Sequence, residues 1–341
     1  MTEASAPGKL LICGEYAVLD GAPAVVAAVD ARAHAIVRPA TGSWLASGGG
    51  RWPFRCHRDS GLQWTGAEPG ERGALLAALV AELRAGPWDW QPRPVEIELD
   101  SGALQFDDGA GGRAKAGLGS SAAVLVALAA ALLPAWALRP APEELGALLL
   151  AAHRRFQGGR GSGIDVLSAL HGGLLRAEPL RGASACRRLD WPAGLLPVLA
   201  WSGRPASTPA MLVRYAALQE AGGRAAGAIG ELGAAARLAA DAWERGEITG
   251  ILAAVSEFAA ALAAVDRAGR IGILTPEHRE LAAIAARVGA VYKTSGAGGG
   301  DFGIAFTDDP ERAQALRAAF REAGYAVPEL QLAVPGVELG G

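Results

Sequence analysis

Apolar positions alternate or run in short blocks through the first hundred residues, then recur at helical spacing through most of the remaining chain. Lys9-Leu10-Leu11-Ile12-Cys13-Gly14 and Ala24-Val25-Val26-Ala27-Ala28-Val29 lie in two such stretches, 8–20 and 22–37, which read as early strands of a mixed sheet. Helical periodicity covers 72–85, and Val95, Ile97 and Leu99 alternate as a strand over 94–100. Residues 41–70 are dense in Gly, Trp and Pro, with Trp44, Trp52, Trp64 and Gly48-Gly49-Gly50, and predict a hairpin or a mobile, lid-like loop.

From residue 121 the pattern predicts helices at 121–133, 142–156, 208–221, 224–245, 248–265, 276–288 and 310–323, with a short one from Asp165 to Leu170. Strands are expected at 291–294, 301–306 and 330–334. A strand-rich first half followed by a helix-rich half ending in βαβ-like elements predicts an α+β protein with two lobes, 1–190 and 191–341. The boundary falls somewhere in 175–200.

Composition narrows this picture. A chain of 341 residues is long for one hydrophobic core, and 51% hydrophobic against 20% charged residues fits a compact globular protein. A net charge of −3 gives no electrostatic footprint for nucleic acid or an anionic membrane, so phosphate binding must come from local sites. Cys13, Cys56 and Cys186 are odd in number and widely spaced, as free thiols in a reducing compartment would be. Met1-Thr2-Glu3-Ala4-Ser5 shows no secretory pattern. The apolar run Ala122 to Leu138 contains Pro134 and is short for a bilayer, so a buried helix is expected. The expectation is a cytoplasmic protein, monomer or homodimer, with a small-molecule substrate and neither nucleic-acid nor membrane partners.

The lysines sharpen the function. Only three stand against 29 arginines, and each lies in a glycine-rich segment. Lys9 is in Ala6-Pro7-Gly8-Lys9. Lys115 opens Lys115-Ala116-Gly117-Leu118-Gly119-Ser120-Ser121-Ala122. Lys293 opens Lys293-Thr294-Ser295-Gly296-Ala297-Gly298-Gly299-Gly300-Asp301. A compact ammonium on a flexible stem suits polyphosphate.

Glycines at 117 and 119 before an apolar helix allow close approach of backbone N–H groups to an anion at the helix N-terminus. Ser120 or Ser121 has two readings there, a hydroxyl on magnesium or an ordinary helix cap. Neither the P-loop nor the Rossmann glycine pattern is present. Four glycines in Gly296 to Gly300 suggest close backbone approach to a ligand. In Gln157-Gly158-Gly159-Arg160-Gly161-Ser162-Gly163-Ile164-Asp165, the aspartate is either a cap or a residue that orients an acceptor or a metal-bound phosphate. Ser207-Thr208 before Pro209 has the look of a plain cap.

Together these segments resemble the three ordered motifs of the GHMP kinases, the first running from Ala6 through Glu15 and Tyr16 to Leu19. The resemblance spans nearly the whole chain and implies a two-lobed kinase fold using ATP and Mg2+. Within that superfamily, Lys115 two residues before Gly117 and the run Lys293 to Asp301 resemble phosphomevalonate kinases, as do Gly161-Ser162-Gly163 and Ala206-Ser207-Thr208.

By that resemblance, Lys9, Lys115 and Asp165 carry catalysis, and Gly117, Leu118, Gly119, Ser120, Ser121 and Ala122 hold ATP. Ser121 is then the magnesium ligand. The substrate is expected to meet Glu15, Tyr16, Arg160, Ser162, Gly163, Ser207, Thr208, Lys293, Ser295, Gly296, Ala297, Gly298 and Asp301. The glutamate that mevalonate kinases place upstream of the Gly-Ser-Gly segment has no counterpart, since His153, Arg154 and Arg155 occupy that stretch. The resemblance therefore implies phosphorylation of 5-phosphomevalonate first. Mevalonate phosphorylation comes second, and a non-catalytic metabolite sensor a distant third.

Overall fold

The fold comes from a computed structural model that describes residues 1–107, 112–159, 161–180 and 183–340. In it β1 (Thr2–Cys13) and β2 (Ala24–Pro39) pair antiparallel, joined by a bend and a short 3-10 turn at Ala17–Asp20. An antiparallel meander comes next, β3 (Ser43–Ser47), β4 (Gly50–His57) and β5 (Gly61–Trp64). Beyond it lie α1 (Glu71–Ala85), β6 (Val95–Asp100) and a small hairpin of β7 (Gln105–Asp107) and β8 (Arg113–Lys115). Three helices, α2 (Ser120–Ala135), α3 (Pro142–Phe156) and α4 (Ile164–His171), precede β9 (Leu174–Leu180) and β10 (Ala183–Leu189).

The first sheet runs β10-β9-β2-β6-β3-β4-β5, with β1 also on β2. Its pairs are antiparallel except β3 with β6. α2 packs on β1 and β2 and is flanked by α1, α3 and α4. It is apolar all round because neighbours surround it, with Leu125, Val126, Leu128 and Leu132 all buried. The buried-helix expectation holds.

The second lobe holds β11 (Leu196–Trp201), α5 (Thr208–Glu220), α6 (Arg224–Arg245), α7 (Ile248–Gly269), α8 (Pro276–Arg287), β12 (Val291–Thr294), β13 (Phe302–Thr307) and α9 (Pro310–Glu322). β11, β13 and β12 form an antiparallel sheet, and a last strand, β14 (Glu338–Leu339), returns to pair with β1. α7 is long and apolar enough to cross a membrane by length and composition. Here its face of Ile251, Val255, Phe258, Leu262 and Val265 is buried, with α6 and β12 as neighbours.

Four sequence expectations change. β1 spans 2–13 rather than 8–20, because Gly14, at φ +103°, turns the chain out of the strand. The 41–70 segment is a meander of the main sheet: Leu45 and Phe54 enter the core, and the Arg51 guanidinium sits 4.5 Å from the Trp44 ring centre. No regular strand forms at 330–334, where Leu332 makes only an isolated bridge to Val29. β9, β10 and β11 had not been anticipated. One apolar cluster joins Leu10, Ile12, Val25 and Val29 to Trp243, Phe258, Phe302 and Phe306, so the two halves share a core. That shared core fixes the glycine-rich segments against one another.

Candidate active site

β1 shifts register against β2 between Pro7 and Gly8, an irregularity that re-aims the side chain of Lys9. The Lys9 backbone N–H donates to the Leu118 carbonyl at 2.8 Å, and its Nζ donates to the Gly117 carbonyl at 2.9 Å. The first motif is thereby docked on the second. Gly117 has φ +70°, and a Cβ there would lie 2.3 Å from Asp301 Oδ2, so the third motif meets the same point. Gly119 is left-handed and directly precedes α2; a Cβ on it would stand 3.0 Å from Lys9 Cγ and 3.5 Å from Asp165 Cβ. Lys9, Asp165 and Asp301 therefore converge at the N-terminus of α2.

That terminus carries no side-chain cap. Ser120 and Ser121 are its first two helical residues, so neither is the capping residue, and the ordinary-cap reading fails. First-turn N–H groups and the dipole of this helix favour an anion. Ser121 Oγ instead lies 3.0 Å from His153 Nε2, and His153 Nδ1 is 3.8 Å from Asp165 Oδ1. Asp165 is likewise no cap, since Gly163 precedes α4; its Oδ1 accepts the Val166 N–H at 3.1 Å.

Burial pulls the Lys9 ammonium below the usual lysine range, while Asp165, Asp301 and Glu15 pull it back up. Asp301 sits at φ +59°, accepts the Ala206 N–H at 3.0 Å and donates its own N–H to the Arg204 carbonyl at 2.7 Å. Burial pushes its carboxyl up to about 6, against the opposing pull of the Ala206 N–H and Lys9.

A second group of expected substrate residues does something else. The Lys293 side chain is 0% exposed and its Nζ lies 2.5 Å from Glu15 Oε1, with further bonds to the Leu11 and Thr294 carbonyls. Gly296 N–H also donates to Glu15 Oε1 at 3.2 Å, and Tyr16 Oη donates to the Ala297 carbonyl at 2.5 Å. Ser295 Oγ accepts the Leu11 N–H at 3.0 Å. Burial raises the Glu15 carboxyl while Lys293 lowers it. Glu15, Tyr16, Lys293, Ser295, Gly296 and Ala297 thus clasp the third motif to the first. Lys293, expected at the substrate, is sealed from solvent and paired with a carboxylate, as a packing element is.

Two third-motif glycines are also packed against protein. A Cβ on Gly298 would lie 2.5 Å from Ile273 Cγ2, and the Gly299 N–H donates to the Ile273 carbonyl at 2.8 Å. Both approach Ile273 closely.

Lys115 is exposed on β8 opposite Gln105, away from this clasp. Ser162 and Gly163 form the turn into α4. Ser207 precedes α5 without capping it, and Thr208 begins that helix, two residues beyond Ala206 and its bond to Asp301. Arg160 lies outside the described residues.

Sequence reasoning overlooked two buried histidines. His153 stood in the stretch where an acidic ligand was sought, so position alone was the available signal. His278 has Nδ1 2.7 Å from Tyr292 Oη and Nε2 2.7 Å from the Gly300 carbonyl; no sequence signal marks it. Burial lowers its pKa.

Two family descriptions match the chain: "GHMP kinases N terminal domain" over residues 74–173 and "GHMP kinases C terminal" over 239–326. A phosphomevalonate kinase of Streptomyces sp. (strain CL190) is 30% identical, with 89% of each chain covered. Among solved structures, the Lin0012 protein of Listeria innocua superposes with a TM-score of 0.84 at 21% identity, over 99% of both chains. Streptococcus pneumoniae phosphomevalonate kinase, in complex with phosphomevalonate and AMPPNP, gives 0.77 at 20% identity, over 97% of this chain and 100% of that one. L. major mevalonate kinase with R-mevalonate gives 0.69 at 18%, over 98% and 96%. With a family description in each half of its length and a relative at this identity across most of it, the chain belongs to the GHMP kinase family and is a phosphotransferase.

Proposed function

We propose that the protein transfers the γ-phosphoryl group of ATP to 5-phosphomevalonate in the presence of magnesium, forming 5-diphosphomevalonate and ADP within the mevalonate route to isoprenoid precursors. The observation carrying this reading is the convergence of Lys9, Asp165 and Asp301 on the uncapped N-terminus of α2. Phosphoryl transfer asks a protein mainly to position two substrates and neutralise developing charge. Residues 117–122 receive the ATP phosphates on backbone N–H groups. Lys115, exposed two residues before Gly117, is assigned to the same phosphates. Lys9 stabilises the charge on the phosphoryl group in flight; the Gly117 carbonyl holds its ammonium in place and Asp165 favours its charged form. Ser162, Gly163, Ser207 and Thr208 bound the acceptor side, where Asp301 fixes the backbone at Ala206.

Magnesium fits this donor set in a limited way. Among the described residues no three or more His, Cys, Asp or Glu side chains gather into a metal cluster. Mg2+ ordinarily keeps several waters and leans on substrate phosphates plus one or two protein oxygens. The Ser121 hydroxyl beside the α2 terminus suits one such oxygen. When bound, the ion would be held by the Ser121 hydroxyl and would neutralise negative charge on the phosphates.

The acceptor assignment is supported by the Streptomyces relative and by chemistry. A phosphomonoester has its second pKa at about 6 and needs no base at neutral pH. A hydroxyl acceptor is the second reading, favoured by the carboxylate of Asp165 lying beside Lys9, as removal of a hydroxyl proton would require. The lobes proposed are 1–190 and 191–341, β10 ending at Leu189 and β11 starting at Leu196, with β14 crossing back to β1.

ATP consumption with magnesium and either mevalonate or 5-phosphomevalonate at matched concentration tests the reading. Turnover with the phosphorylated acceptor alone is expected. Turnover with mevalonate alone overturns the acceptor assignment and makes Asp165 the base.

A further inference from the structure

One side chain in the site has no part in the roles proposed for ATP and its acceptor. His153, near the end of α3, is fully buried, its ring stacked on Phe156 with centroids 6.0 Å apart. Its Nε2 faces Ser121 Oγ at 3.0 Å. Its Nδ1 is buried with no hydrogen-bond partner among the described residues, 3.8 Å from Asp165 Oδ1. An imidazole with one ring proton donates from one nitrogen and accepts at the other, so two arrangements are available.

With the proton on Nε2, that N–H donates to Ser121 Oγ and leaves the Nδ1 lone pair sealed against a carboxylate oxygen. With the proton on Nδ1, the N–H dipole is aimed at Asp165, and the Nε2 lone pair accepts the hydroxyl proton of Ser121. The first arrangement sets two electron-rich atoms face to face in a buried place, where such contacts are costly. In the second, a movement of about 1 Å completes an N–H···O bond. Lys9 also presses its charge on Asp165, yet its ammonium is tied to the Gly117 carbonyl and leaves the histidine side of the carboxylate open to this contact.

We infer that His153 is a positioning residue: Asp165 holds it in the Nδ1–H tautomer, its Nε2 accepts a hydrogen bond from the Ser121 hydroxyl, and the Ser121 oxygen is left with its lone pairs free to ligate a cation. The inference rests on the magnesium–ATP reading of the site and deepens it. A serine hydroxyl at a phosphate site can donate to a phosphate oxygen or accept a metal ion. The tautomer of a residue one layer behind decides which. Under this arrangement Ser121 contributes nothing to metal-free ATP and contributes directly to the magnesium complex. Partners one layer behind a ligand typically change metal affinity about 10–100-fold when removed.

Protein labelled with 15N-histidine provides the test, in two-bond 1H–15N correlation spectra at mildly alkaline pH, with the His153 signal assigned from its loss in His153→Phe. A pyrrole-type Nδ1 and a pyridine-type Nε2 are expected, and a pyrrole-type Nε2 overturns the inference without any substrate present. In Asp165→Ala the preference for Nδ1–H is expected to weaken; an unchanged spectrum removes Asp165 as its cause. ATP binding is then measured calorimetrically with and without magnesium. His153→Phe, which keeps the ring and its stacking on Phe156, is expected to shrink the magnesium-dependent gain in affinity about tenfold, leaving metal-free binding within about twofold. Equal loss of both overturns the role. A wild-type protein whose ATP affinity does not respond to magnesium defeats the underlying functional reading instead, whatever tautomer the spectra show.

Discussion

Two glycine-rich segments of this chain look alike in sequence and have opposite surroundings. Gly117 to Ala122 ends in a helix start with no side-chain cap, where the Ala122 N–H turns in to the Gly119 carbonyl and the positive end of the helix dipole favours an anion. Gly296 to Asp301 is filled from behind by protein: Glu15 takes the Gly296 N–H, Ile273 lies against Gly298, and the Arg204 carbonyl accepts from Asp301. A glycine permits close approach without specifying what approaches. Only the neighbours decide between a cradle and a clasp, and the lysines divide along the same line. Lys9 is half-buried, with its ammonium at the cradle; Lys293 is sealed inside the clasp.

Lys9→Met breaks the cradle side of that contrast and carries the largest expected effect. Removing one charge-stabilising donor at the reacting group costs about 10²–10³-fold in turnover. ATP affinity should change little, because the proposed reading gives the nucleotide to the backbone at 117–122. Steady-state kinetics beside calorimetric ATP binding check this split. Turnover like that of the wild type would remove Lys9 from the mechanism.

Lys293→Met tests the clasp and should do the reverse. Taking away one partner of a buried ion pair leaves Glu15 desolvated and costs about 3–5 kcal/mol of stability. Turnover per folded molecule is expected to stay within about threefold, since Lys293 acts on packing alone; a change of a few kcal/mol is read directly from denaturant unfolding. A stable variant that has lost turnover would return Lys293 to the substrate.

These contrasts explain which parts of the molecule the sequence made legible. α2 and α6–α9 were readable because their apolar runs are long and their breaks are glycine or proline. β9, β10 and β11 were hidden: Arg176, Arg187 and Arg188 interrupt two of them, and Arg176 is satisfied by Glu178, Asp241 and Glu244, two of which are distant in sequence. The Trp-rich meander was read as a hairpin or a mobile loop, and cross-strand contacts such as Phe54 with Trp64 place it on the hairpin side. In the site, Lys9, Ser121, Asp165 and Asp301 were found from motif residues and do come together. The Glu15–Lys293 pairing could not be found that way, since 278 residues separate its partners and each sits in a motif that looks ligand-facing. His153 was seen only as the wrong residue for an acid.

Asp301 belongs to both segments, touching Gly117 from within the third motif, and it sharpens the comparison at the smallest scale. Its carboxyl lies at about 6 when folded, against an ordinary value of 3.8. The folded state therefore binds this proton more tightly than the unfolded state does. The stability it contributes is complete below about pH 4 and is lost as pH rises through about 6.

Asp301→Asn keeps the oxygen that accepts from Ala206, and asparagine tolerates the left-handed backbone at φ +59°. The variant should be more stable than wild type at neutral pH, by up to about 3 kcal/mol, the rise from 3.8 to about 6 having the Lys9 attraction already in it. Between pH 4 and 6 the difference between the two unfolding curves should grow with pH and then level off. A difference independent of pH would mean that the Lys9 ammonium already compensates the carboxylate fully, and that cradle and clasp meet through a formed ion pair.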